Sequence, residues 1–113
     1  MTTRIFIRLK VEGVHCWPDC DIEEVNYLRN LHRHHFCVKA YLCVDGDNRE
    51  VEFIQLKHKV AAYLGEKYWS PVGKCFDFGD MSCEMIAKEL IREFCFDRVI
   101  VDEDGENGAE VLR

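Results

Sequence analysis

The sequence has no C-x-x-C pair, no long apolar run, no basic block and no repeat or low-complexity segment. Each absence excludes something. Paired knuckle cysteines mark ribbon-type structural zinc sites, so none is expected, although the chain holds seven cysteines. A membrane-spanning helix needs about 20 consecutive apolar residues, so a soluble protein with no membrane partner is expected. Fifteen Lys and Arg stand against 21 Asp and Glu, a formal charge of −6. With no basic segment to offset that excess, nucleic acid is not an expected partner. No secretory leader pattern opens the chain, and an odd cysteine count then reads as reduced thiols in a cytoplasmic protein. Cys37, Cys43, Cys83 and Cys95 fall in apolar patterns and are expected to be mostly buried.

What is present fits one domain over residues 1–113. The chain is 48% hydrophobic, enough for a modest core, and a domain this small gains from oligomerisation. From Thr3 to Val14, Ile5, Ile7, Leu9 and Val11 alternate with Phe6, Arg8 and Lys10, the period of a strand. A long connection, Val14 to Leu31, has room for a short helix over Ile22–Leu28. His32 to Val44 is a second strand, with Phe36, Val38, Ala40, Leu42 and Val44 on one face. After the turn signal Asp45-Gly46-Asp47-Asn48, a short extended piece over Arg49–Glu52 is expected to prolong the sheet. Phe53 to Tyr68 has helical spacing, with Phe53, Leu56, Val60, Ala61 and Leu64 on one stripe. Ser70-Pro71-Val72-Gly73 breaks it. A second helix reaches Phe94 with Ser82 as its N-terminal cap and Met85, Ile86, Leu90, Ile91 and Phe94 as its stripe. Strands over Arg98–Asp102 and Ala109–Leu112 close the chain. The order β-β-α-α-β-β predicts an α+β fold, a four-stranded antiparallel sheet with two helices on one face.

The histidines carry the chemistry. In an extended strand, residues two apart share a face, so His32 and His34 point one way and His35 the other. His15 ends the first strand-like run. Three neutral imidazoles with an open fourth position suit a catalytic zinc. His58 falls within the first helix and reads as exposed. Glu103 follows the last strongly apolar strand, among Asp102, Asp104 and Glu106, and a run of acids is commonly a solvated turn. Trp17 is either the wall of a pocket or a staple for the long connection.

These features occur in a particular order: His15, then Leu31-His32-Arg33-His34-His35-Phe36, then Val51-Glu52-Phe53-Ile54-Gln55-Leu56-Lys57, then Ser82-Cys83-Glu84-Met85-Ile86-Ala87, then Glu103 before a small-residue turn. Together they resemble the 6-pyruvoyl-tetrahydropterin synthase and 6-carboxy-tetrahydropterin synthase family, proteins of the tunnelling fold. The resemblance spans nearly the whole chain. It differs at Arg33, where the family usually has glycine, and at Glu52, where it has aspartate. It implies zinc bound by His15, His32 and His34, and Glu103 as the anchor of a pterin, whose edge offers two adjacent N–H donors to a carboxylate. Guanine presents the same edge. It also implies a homo-oligomeric ring with sites between subunits, and a lyase acting on dihydroneopterin triphosphate, one version of which feeds 7-deazaguanine synthesis.

Two family elements are not matched. The catalytic cysteine stands about four residues before the His-x-His pair, where this chain has Leu28. The Asp–His pair after the first helix has no counterpart in Glu66-Lys67-Tyr68-Trp69-Ser70-Pro71. Cys20 is the stand-in candidate for the catalytic group, with Cys16, Asp19, Asp21 and Tyr68 behind it. The alternative is a non-catalytic relative that binds or sequesters a pterin, a guanine-type base or a nucleotide.

Overall fold

The computed structural model describes residues Met1–Arg113. Its spine is a long antiparallel ribbon. Strands β1 (Thr3–His15) and β2 (His32–Val44) pair without a slip from Thr3 opposite Val44 to His15 opposite His32. Alternation sets the sidedness. Ile7 and Leu9 on β1, and Phe36, Val38 and Ala40 on β2, are buried on one face of this ribbon. A slip of one residue would turn both apolar rows to water, so the hydrophobic pattern fixes the register.

Helices cover that face. Helix α1 (Phe53–Tyr68) packs on β1 and buries Leu56, Val60 and Leu64. Helix α2 (Cys83–Phe94) packs on β5 (Arg98–Glu103) and β6 (Asn107–Leu112) and buries Ile86, Ala87 and Leu90. Each fully buried Leu or Ile contributes about 1.5–3 kcal/mol relative to exposure. Phe53, Ala61 and Met85, expected on the apolar stripes, are exposed. Ser82 caps α2 as expected, its hydroxyl accepting the Met85 N–H at 3.2 Å. Glu52 caps α1 in the same way, accepting the N–H groups of Ile54 and Gln55. That role corrects the expected extension of the sheet over Arg49–Glu52, which is a bend leading into the cap. The short helix expected in the β1–β2 connection is present as a 3-10 helix over Glu23–Arg29.

The sheet is larger than expected. It has six strands in the order β3 (Trp69–Ser70), β4 (Cys75–Asp77), β1, β2, β5, β6. The additional pair, β3 and β4, is a hairpin built around the Pro71–Gly73 break. β4 runs parallel to β1 at Gly13 and Val14, which makes the sheet mixed rather than purely antiparallel. Gly13 permits this. A Cβ there would lie 3.0 Å from the Phe76 carbonyl oxygen and 3.0 Å from the Phe78 ring. The sheet does not close into a barrel. The rest of β1's outer edge and the outer edge of β6 are free of strand partners. No helix is long and apolar enough to cross a membrane.

All seven cysteines are free thiols. Of the four expected inside, only Cys83 is buried. Cys37 is half-buried, and Cys43 and Cys95 are exposed. Cys37 and Cys43 occupy odd positions of β2, which face away from the helices, and Cys95 is the left-handed residue that ends α2.

Candidate metal centre

The ribbon's register brings the histidines together. His15 and His32 are direct cross-strand partners, and His34 follows on the same face as His32. Their ring centroids lie 4.5 Å (His15–His32), 5.4 Å (His15–His34) and 5.0 Å (His32–His34) apart. Phe36, next on that face, sets its ring edge-on to His15 and His34 at 5.0 and 5.7 Å, an apolar floor. β5 delivers the fourth member, because Glu103 stands opposite Phe36. Its Oε2 is 2.9 Å from His15 Nε2 and its Oε1 is 3.7 Å from His34 Nε2. One ligand atom from each of His15, His32, His34 and Glu103 can be chosen so that all lie within 4.8 Å of one another.

Hydrogen bonds behind the rings decide which nitrogen faces inward. His15 Nδ1 donates to the Met81 carbonyl at 2.8 Å, and His32 Nδ1 donates to the Asn30 carbonyl at 2.8 Å. A carbonyl only accepts, so in both neutral rings Nδ1 carries the proton and Nε2 keeps its lone pair. His34 Nδ1 meets the Asp104 carboxylate at 2.7 Å, with the same consequence. The inward Nε2 atoms of His15 and His34 are buried and have no hydrogen-bond partner. Burial holds the His15 imidazolium below its usual range, outweighing the Met81 bond and the Glu103 charge, which both favour it. Lone pairs of His15 and His34 therefore face a carboxylate, an arrangement of acceptors that could hold a cation. A zinc–nitrogen bond of about 2.0 Å puts tetrahedral ligand atoms roughly 3.3 Å apart, between the two separations measured from Glu103. This donor set, three imidazoles and a carboxylate, can hold a metal ion.

His15, His32 and Glu103 form one side of a cavity of about 470 Å³. Cys16, Trp17 and Leu28 wall it from the β1–β2 connection, and Met81 to Met85 wall it from the start of α2. Trp17 is thus a wall of the pocket, 44% exposed. Leu28 lines the cavity, so an isobutyl group stands where the resemblance places a cysteine. Cys20 does not line it. That residue is 1% exposed, and its thiol points to the carbonyls of Ile22 and Val25. Cys83 does line the cavity, but burial, then the charges of Glu103 and its neighbours, push its thiol up to about 12. Tyr68 is committed elsewhere, donating to Glu89 at 2.7 Å. His58 is exposed, as expected, and so is His35, on the opposite face of β2 from the cluster.

Asp104 is the residue that sequence reasoning passed over as part of a wet acidic turn. It lies behind the cluster rather than in it, and hydrogen bonds from the His35 backbone and the His34 ring hold its carboxyl below the usual range. Its signal in the sequence was position: it follows Glu103 directly and precedes a glycine.

No protein-family model matches this chain, and no curated protein matches it.

Proposed function

We propose that this chain is a zinc-binding protein whose cavity holds a pterin- or guanine-type small molecule beside the metal. One observation carries the reading: three imidazoles, each tied at Nδ1 to an acceptor, gather with Glu103 beside a cavity, and His15 and His34 turn Nε2 toward its carboxylate. Nitrogen and carboxylate donors without a thiolate suit zinc. The resemblance in motif order adds the ligand class. A cavity of about 470 Å³ is the size of a small-molecule site. Zinc bound there supplies Lewis-acid polarisation of ligand oxygens. Glu103 offers a carboxylate to paired N–H donors, and Trp17 offers an apolar face to a flat ring. Sheet edges left free on β1 and β6 favour a homo-oligomer in which a second copy completes the walls.

Binding without turnover is the better-supported form. Proton abstraction needs a positioned base of suitable pKa. Leu28 is apolar, Cys20 points away and Cys83 is held protonated. The lyase reading, conversion of a dihydroneopterin triphosphate-type substrate, rests on Cys16, the one remaining thiol that lines the cavity.

Intact-complex mass spectrometry after mild purification tests both. One zinc per chain and a retained small molecule are expected, together with the assembly mass. Zinc that fails to bind even when added overturns the centre. Turnover of dihydroneopterin triphosphate by the zinc-loaded protein, lost in Cys16→Ala, replaces the binding reading with the lyase one.

A further inference from the structure

The turn between β5 and β6 has two consecutive left-handed residues, Asp104 at φ +61° and Gly105 at φ +74°. Glycine adopts that conformation freely, and a residue with a Cβ does so at a cost. Strain of this kind persists only where neighbouring interactions over-determine it. Three contacts do so here, all to β2. The Asp104 N–H donates to the His35 carbonyl at 2.8 Å. Oδ1 accepts the His35 N–H at 2.8 Å, and Oδ2 meets His34 Nδ1 at 2.7 Å. The third reaches the back of a ring whose front nitrogen joins the cluster.

His34 also differs from the other two histidines. Backbone carbonyls hold His15 and His32, whereas a charged group holds His34. A carboxylate behind a ligand histidine fixes its tautomer and raises the basicity of the nitrogen in front. The end of β5 and the turn after it thus place two carboxylates, Glu103 in front of the rings and Asp104 behind one, whose two negative charges would balance a divalent cation.

Building on the metal reading above, we propose that Asp104 is a positioning residue. Its carboxylate locks His34 in the Nδ1–H form, so that Nε2 is available to a divalent cation. The strained turn residue is Asp rather than Gly because the metal ligand needs an anionic partner.

Asp104→Asn is the discriminating variant. Asn tolerates the left-handed conformation and its oxygen can still accept the His35 N–H. Its amide then presents N–H donors to His34 Nδ1, which favours the opposite tautomer and places a proton on Nε2. Asp104→Gly removes the side chain while easing the backbone, and keeps the test alive if the Asn variant folds poorly. Two measurements are needed. Nitrogen NMR of the imidazoles in metal-free protein, at about pH 9 where the rings are neutral, reads the tautomer. Competition with a chelating dye reads zinc affinity. The Nδ1–H form of His34 is expected in the parent chain and the Nε2–H form in Asp104→Asn. Zinc affinity is expected to fall about 10- to 100-fold in both variants. Unchanged tautomer and unchanged zinc affinity in Asp104→Asn would reduce Asp104 to a turn residue and leave the metal centre standing. A parent chain that binds no zinc removes the metal centre, and with it the purpose assigned to Asp104.

Discussion

Two polar clusters border the apolar interior of this protein, and they are built on opposite plans. Between the helices, Glu89 of α2 accepts Tyr63 at 3.0 Å and Tyr68 at 2.7 and 2.8 Å, and pairs with Lys67 at 3.3 Å. Lys67 also donates to the Tyr63 hydroxyl. Each donor there meets an acceptor. At the end of the β1–β2 ribbon, His15 and His34 instead turn bare nitrogens toward the Glu103 carboxylate, acceptor against acceptor. Buried polar groups are nearly always satisfied, so a cluster that fails this test asks for a reason. The closed cluster needs nothing further and joins two helices. The open one could hold a metal ion, and it borders the cavity.

Metal should affect the two clusters differently, and this is the largest effect expected. Zinc at about 1,000 times its Kd adds about 4 kcal/mol to the native state. Thermal melts with and without a chelator should therefore differ widely for the parent chain and coincide for His34→Ala. A chelator-sensitive melt that survives in His34→Ala would move the metal elsewhere.

Glu89→Ala should show the converse. It leaves the Tyr63 and Tyr68 hydroxyls without their carboxylate acceptor, at a cost of about 2–3 kcal/mol. Denaturant unfolding measures it, and the loss should be equal with and without zinc. A loss that appears only in the zinc-bound form would link the clusters and undo the contrast between them.

The two plans were unequally legible in the sequence. Thirteen-residue strands and a sixteen-residue helix repeat their periods often enough to be read, and the His32-x-His34 pair follows from strand alternation alone. Their meeting with His15 depended on a register that the apolar rows fix. The β3–β4 hairpin was not legible, because strands of two and three residues have no period and Pro71–Gly73 reads as a break. Cys20 looked available because it lies in the same loop as the expected cysteine, yet the 3-10 helix folds its thiol inward onto Ile22 and Val25. Asp104 was hidden for a different reason. An acid in a run of acids looks solvated until the β5–β2 pairing places one of them behind a histidine. The Tyr63–Tyr68–Glu89 cluster was hidden likewise, since its partners are more than 20 residues apart.

The smallest effect is one of slope. Burial alone would raise the Glu89 pKa, but hydrogen bonds from Tyr68, Tyr63 and Lys67 together hold it below the usual carboxylate range. A carboxyl depressed in the folded state adds stability above its unfolded pKa, about 4.3, and that stability is lost as pH falls through the folded value. Acid should therefore weaken the parent chain from roughly pH 4.5 downward in part through this group. Glu89→Gln should be less stable at neutral pH and should lose less on acidification, so the two unfolding curves converge in acid. The comparison belongs in metal-free protein, where the histidine cluster has no ion to release. Curves that stay parallel down to about pH 3 would mean that Glu89 titrates as it does in the unfolded chain. The closed cluster would then hold the helices by neutral hydrogen bonds and packing, without a contribution from its charge.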